Sequence, residues 1–356
     1  HRRRHSFPTR RSSDLGGGFG RRLEVDYVAQ AVRVAMDSAG APVQLVWPRE
    51  EDMTHGWHRP IGQCKLTAGL DAAGNACPSL HVATALFTAA WNHRLLADLR
   101  ARLPLEAGCE ITLEANPGTF EKDRFRALRE AGITRLSVGV QSFNDIHLKA
   151  LGRVHGRDQA LAAAKEAAEV FETFNLDLMY ALPGQSLADL QADLREALAL
   201  GPAHLSVYHL TLEPNTLFAK FPPVLPPDDL AFDMLDHITE ATSQAGLQRY
   251  EVSAYARAGH QCVHNLNYWQ FGDYLGIGSG AHSKLSFAHR VVRQVRLREP
   301  RLYMEKALEG HAVAQENEVA RAELPFEFML NALRLKDGFK LSTFSERTGL
   351  PLTAIQ

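Results

Sequence analysis

EITLEANP at Glu110–Pro117, then EKDRFRALREAG at Glu121–Gly132 and RLSVGVQSF at Arg135–Phe143, carries the signature from which the architecture follows. A short apolar run, a segment with helical spacing and a second short apolar run make one βα unit feeding a parallel strand. Gly132 stands where the helix should stop, and Gly152 does the same after the next short helix. Toward the C-terminus the rhythm repeats. A helix is expected over Asp158–Phe171, a strand over NLDLMYALPG at Asn175–Gly184 and a helix over LADLQADLREALAL. HLSVYHLTLEP at His204–Pro214 precedes the helical PDDLAFDMLDHITEATSQAG, and QRYEVSAYA at Gln248–Ala256 opens a fifth strand. Five units in succession predict an α/β chain built as a full or partial (β/α) barrel of the TIM type.

In such barrels ligands collect at the C-terminal ends of the strands. The polar residues at those ends are Glu114, Gln141, Asp177, Thr211 and Glu251, one from each strand. Solvated surface positions would scatter, so their recurrence at one level of successive units marks a ring that binds a ligand.

The chain has 356 residues, of which 45% are hydrophobic, enough to fill a barrel with an extension or two ordinary domains. That content excludes a disordered or collagen-like chain. Lys plus Arg number 39 against 41 Asp plus Glu, a net charge of -2, so no global field favours polyanions and no nucleic acid is expected as partner. Charges interrupt every apolar run before the roughly 20 residues a membrane span needs. Four cysteines, Cys64, Cys77, Cys109 and Cys262, make no CxxC pair and no compact metal motif. This usage fits a reducing, cytoplasmic compartment.

The N-terminal part differs in character. Residues 1–15, HRRRHSFPTRRSSDL, carry five arginines and no apolar core for secretion; they resemble a translated sequencing-adapter remnant, and no fold is expected for them. GGGFGRRLEVDYVAQAVRVA, PVQLVWPREEDMTHGWHRP and KLTAGLDAAGN resemble a fragment of the large subunit of molybdenum hydroxylases of the aldehyde or isoquinoline oxidoreductase type, over residues 16–84. That resemblance implies an αβ fragment whose glycine turn, Gly16 to Gly20, lies against an anionic pterin cofactor. Pro78-Ser79-Leu80-His81 matches a phosphatase PSxH pattern but lacks partner basic motifs, so it reads as turn and strand.

ITLEANPGTF, RLSVGVQSFND, LKALGRVH, NLDLMYALPGQ and LSVYHLTLEPNT resemble the radical S-adenosylmethionine family around oxygen-independent coproporphyrinogen III oxidase. CVHNLNYWQFGDYLGIGSGAHS and EFMLNALRLKDGF are similar to its HemW-type heme-chaperone branch, whose HNxxYW motif falls on His264, Asn265, Tyr268 and Trp269. By motif, Glu114, Gln141, Arg153, Asp177 and Thr211 are implied to contact S-adenosylmethionine. Carboxylates accept from an amino group or ribose hydroxyls, and Arg153 pairs with a carboxylate. His264 is implied to offer its imidazole to heme iron, with Tyr268 and Trp269 presenting flat area to a porphyrin. YLGIGSGAHS reads as a tight strand-to-turn passage, with Gly278 and Gly280 free to bring backbone close to a ligand.

The chain departs from that family in one respect that decides its chemistry. The CxxxCxxC motif that holds the [4Fe–4S] cluster is absent, and so is the GGGTPS segment expected before the helix near Leu86–Leu99. The reading is therefore a partial radical S-adenosylmethionine barrel over 85–285, lacking its N-terminal cluster-bearing units and leaving strand edges open. A small α-rich C-terminal domain is expected over 286–356. The two resemblances meet near residue 85 without a Pro/Gly/Ser linker, which implies a chimeric chain. The functions implied are a heme chaperone, binding heme and S-adenosylmethionine and serving a heme-accepting protein such as a respiratory enzyme, or a coproporphyrinogen III oxidase, or a molybdenum hydroxylase fragment. Membrane contact is expected only through the recipient, and a dimer is one available state.

Overall fold

The computed structural model describes residues 65–70, 76–83, 89–103, 105–106, 108–117, 124–212 and 217–355. The chain divides into compact units 1–60 and 61–356, and all described residues belong to the second. The glycine turn Gly16–Gly20 and the adapter-like leader lie outside the described residues.

Among the described residues twelve strands form one sheet: β1 Lys65–Leu70, β2 Ala76–Ala83, β3 Glu110–Ala115, β4 Arg135–Gln141, β5 Thr173–Tyr180, β6 His204–His209, β7 Gln248–Arg249, β8 Ala254–Ala256, β9 Asp273–Ile277, β10 His282–Phe287, β11 Arg290–Arg296 and β12 Val313–Glu318. Their order is β12-β11-β10-β9-β1-β2-β3-β4-β5-β6-β8-β7. The run β2 to β6 is parallel, and the flanking pairs are antiparallel. The helices are α1 Ala89–Arg102, α2 Arg124–Glu130, α3 Asp145–Ala150, α4 Arg157–Val170, α5 Leu187–Ala199, α6 Leu217–Lys220, α7 Asp228–Gln244, α8 Val263–Trp269, α9 Pro300–Leu308, α10 Leu324–Ala332 and α11 Leu341–Thr348.

Strict alternation builds the parallel strands. In β4, Leu136, Val138 and Val140 point to the helix layer, while Arg135, Ser137 and Gly139 take the other face; β5 and β6 repeat this with Leu176, Leu178, Leu205 and Val207. The helices answer with one apolar face each. Ala160, Ala163, Ala164 and Ala167 of α4 recur at helical spacing and are fully buried, small enough to let the helix lie close on the sheet. α5 starts on a reciprocal cap, in which Ser186 Oγ accepts from Asp189 N–H at 3.2 Å and Asp189 Oδ2 accepts from Ser186 N–H at 2.9 Å.

Two expectations need adjusting, and a third is placed more closely: the sheet stays open, with its edges at β12 and β7. β3 does not carry an open edge, because β2 pairs with it in parallel register from Ser79↔Glu110 to Ala83↔Glu114, and β1 joins β2 to β9. The sheet therefore runs without a break past residue 85 in both directions. The α-rich segment 286–356 also carries two strands: β11 and β12 extend the sheet, while Phe271, Phe328 and Phe344 pack edge to face with α10 and α11. QRYEVSAYA splits into two short antiparallel strands instead of closing a fifth parallel unit.

Candidate functional site

The polar face of the parallel strands turns inward and lines a cavity of about 280 Å³. Register brings Glu114, Ser137, Asn175 and His204 into one row across β3, β4, β5 and β6, with Asp177 opposite Ser206 one step further along. Arg135 sits below the row and Tyr208 above it. Cys262, the cap residue before helix α8, and His264, Asn265 and Tyr268 of that helix supply the remaining wall.

These buried groups satisfy one another in a defined direction. Asn175 Oδ1 must accept, since Ser206 Oγ donates to it at 3.0 Å, so His204 Nδ1 donates to it at 2.7 Å. That leaves His204 Nε2 to accept from the Tyr250 hydroxyl at 2.8 Å, whose oxygen accepts from Cys262 N–H at 3.3 Å. On the other side Asn175 Nδ2 donates to Asp177 Oδ1 at 2.8 Å and to Ser137 Oγ at 3.0 Å, and Ser137 Oγ donates to Asp177 Oδ2 at 3.3 Å. One chain of hydrogen bonds thus joins Asp177 to the start of α8.

Burial is the largest influence on Asp177 and, with the facing Glu114 carboxylate, pushes it up to about 7 against the hydrogen bonds that favour its anion. Burial likewise holds the His204 imidazole well below its ordinary value, hence neutral. Burial pushes the Cys262 thiol up to about 12. Two carboxylates meeting at an inner wall form a receptor for a donor-rich cationic group, since an ammonium or hydroxyl would relieve their repulsion.

Gln141 ends β4 with φ +70, a conformation a non-glycine side chain adopts at a cost, and the ladder to β5 slips there between Val138 and Gln141. The loop that follows is held by Asp193 of α5, whose buried carboxylate accepts from Ser142 Oγ at 2.7 Å and Phe143 N–H at 2.8 Å. Arg153 reaches back beside it, donating from Nη2 to Asn116 Oδ1 at 3.0 Å and Gly139 O at 3.1 Å. The bare Cα of Gly139 leaves room for both side chains: a Cβ there would lie 3.0 Å from Gln141 Nε2 and 3.3 Å from Arg153 Nη2.

The structure therefore brings Glu114, Asp177, His264, Asn265 and Tyr268 to one cavity, with Gln141 and Arg153 grouped beside Gly139. Thr211 is exposed and its hydroxyl contacts His209 O at 3.5 Å, outside the cavity lining. Glu251 leaves the ring as well: its buried carboxylate pairs with Arg334 at 3.2 Å and caps Ser253 N–H at 3.0 Å. Trp269 turns away under Arg334, whose guanidinium lies 4.2 Å from its ring centre. Gly278 and Gly280 both have positive φ and shape a turn in which Gly280 N–H donates to Leu297 O at 2.8 Å. The lining residues that strand-end reasoning missed are Arg135, Ser137, Asn175, His204, Ser206 and Tyr208. Their signal was the alternation of polar and apolar residues inside each strand, which the strand ends alone do not display.

The donor set for an iron–sulfur cluster is not present in these 356 residues. The described cysteine side chains, Cys109 and Cys262, are both buried and 153 positions apart, and no third cysteine stands at CxxxCxxC spacing.

Comparison with known proteins gives three family matches: the Radical SAM superfamily over residues 78–197, the molybdopterin cofactor-binding domain over 9–82, and the HemN C-terminal domain over 319–355. Heme chaperone HemW of Escherichia coli is 48% identical over 279 residues, covering 78% of this chain and 71% of that protein. HemW of Haemophilus influenzae is 45% identical, covering 76% and 70%. Among solved structures, the radical SAM enzyme coproporphyrinogen III oxidase (HemN) from Escherichia coli superposes with a TM-score of 0.60 at 24% identity, covering 74% of this chain and 64% of that one.

Proposed function

The chain belongs to the HemW heme chaperone family of the radical S-adenosylmethionine superfamily, and on that premise we propose that it binds heme and delivers it to a recipient protein, with S-adenosylmethionine as second ligand. The observation that carries the reading is the placement of HNxxYW. Its helix α8 forms a wall of the same cavity that holds Glu114 and Asp177, so His264, Asn265 and Tyr268 face the same polar chamber as those two carboxylates.

His264 sits in the first turn of α8, where Glu110 Oε1 accepts from Val263 N–H at 3.2 Å and fixes the helix start. Heme iron takes an imidazole as axial ligand, and His264 is the residue of this motif that offers one. Tyr268 stands edge to face between His264 and Tyr274, presenting ring surface at the cavity. The cavity falls just below the usual range of ligand pockets, roughly 300–1,000 Å³, too small to enclose a porphyrin, so this reading sets the macrocycle across its mouth. Asp177 and Glu114 are suited to the ammonium and hydroxyl groups of S-adenosylmethionine, and Arg153 to its carboxylate.

The missing cysteines leave these residues without a cluster-borne step, so oxidative decarboxylation of coproporphyrinogen is the weaker reading, and the likeness to that enzyme is one of fold. The molybdopterin match covers residues that carry no other part of such an enzyme, and we read them as fused to the barrel. Among the described residues no helix is long and apolar enough to cross a membrane. We place the protein in the cytoplasm, with a heme-accepting partner such as a respiratory enzyme, membrane contact through that partner, and a dimer as a state to test.

Heme titration of the full chain followed by the Soret band tests this. The expected result is a saturable red shift that His264→Ala loses and Trp269→Phe keeps. An identical shift in His264→Ala refutes the assignment.

A further inference from the structure

A second set of reactive side chains converges where β3 and α8 begin. Glu110, Cys262 and His264 place a carboxylate oxygen, a sulfur and a ring nitrogen within 4.8 Å of one another. Cys262 Sγ lies 3.1 Å from His264 Nδ1, and Glu110 Oε1 lies 3.7 Å from the same nitrogen. Adjacent ligands on a tetrahedral zinc ion, with bonds of about 2.0–2.3 Å, stand about 3.3–3.6 Å apart; the Cys262–His264 and Glu110–His264 pairs lie within about half an ångström of that spacing, and the Glu110–Cys262 pair lies within 4.8 Å. We propose that Glu110, Cys262 and His264 form a binding site for a thiophilic divalent cation of the zinc type, with its fourth position open to the cavity.

The surroundings suit such an ion. Cys262 and His264 are 2% and 8% exposed, so water competes weakly for them, yet both line the cavity and leave a side of the site reachable. Glu110 Oε1 also accepts from Val263 N–H at 3.2 Å and Thr112 Oγ1 at 3.3 Å, contacts that fix the carboxylate as outer hydrogen bonds fix metal ligands. Arg135 lines the same cavity, and its charge disfavours a net positive complex. One carboxylate and one thiolate bring a divalent ion to neutrality. The site shares His264 with the heme reading but does not rest on it; cation and heme iron compete for one imidazole.

The test uses the full chain, stripped with a chelator and titrated with Co²⁺. The expected spectrum shows one equivalent bound, with a thiolate-to-cobalt charge-transfer band in the near ultraviolet and the visible bands of four-coordinate cobalt, both erased by Zn²⁺. The band persists when Cys64, Cys77 and Cys109 are changed to Ser, disappears in Cys262→Ser, and Glu110→Gln weakens Co²⁺ by about 10-fold or more. Absence of the band from the wild-type protein, or its survival in Cys262→Ser, overturns the proposal; the wild-type spectrum decides even if a variant fails to fold. Zn²⁺ loading is expected to block the His264-dependent Soret shift. A protein with the cobalt band and no heme shift keeps the metal site and removes the heme reading, so the two fail separately.

Discussion

Replacing Asp177 with Asn should make the folded protein about 2 kcal/mol more stable at pH 8 and about 1 kcal/mol less stable at pH 4.5. An aspartate ionises at an ordinary 3.8 in the unfolded chain and at about 7 in its place beside Glu114. Between those values the native state holds a proton that the unfolded state has released, so wild-type stability falls as pH rises from about 4 to about 7 and levels off above. At about 1.4 kcal/mol per pH unit the loss amounts to about 4 kcal/mol, with burial as the larger cause and Glu114 the second. The substituted side chain carries no charge and removes that contribution. Its amide NH2 must face Asn175 Nδ2 or Ser137 Oγ, donors to the native carboxylate, and an orphaned donor costs about 1–3 kcal/mol. The net gain at pH 8 is then about 2 kcal/mol. Urea unfolding of both proteins from pH 4.5 to 8 measures the difference directly. A difference that stays constant across that range would refute a buried carboxylate held against Glu114, whatever its sign.

Three further outcomes follow from the same geometry. His204→Ala deprives Tyr250 and Asn175 of their shared partner and should cost about 2–4 kcal/mol at pH 7. Because burial keeps His204 neutral while the unfolded chain takes up a proton near 6.5, wild type loses stability as pH falls below that value, and the gap to the variant should narrow at pH 5. Asp273→Ala strands the buried Lys284 ammonium, which lies 2.7 Å from Asp273 Oδ1, and should cost about 3–5 kcal/mol by denaturant midpoint; Lys284→Met with Asp273→Asn should recover much of it. Gly276→Ala would set a Cβ 2.1 Å from the His282 carbonyl oxygen between β9 and β10, and roughly 3 kcal/mol or more of lost stability is expected in thermal melts.

Legible in the order of residues alone are the βα rhythm from Glu110 to Gln244, the strand carboxylates Glu114 and Asp177, the latter set inside β5 and not at its end, and the HNxxYW helix, because each is written in a local period or a contiguous motif. Absence of a cluster motif was equally legible, being a matter of cysteine spacing. It takes the folded chain to show that Ser137, Asn175 and His204 share a row above Arg135, since strand register depends on pairing across loops of tens of residues. Thr211, Glu251 and Trp269 carry the right residue types in the right motifs, and packing aims them elsewhere. Glu110 and His264 lie 154 positions apart in the chain and 3.7 Å apart in space, a convergence that no local pattern encodes because it is set by how α8 docks against the start of β3.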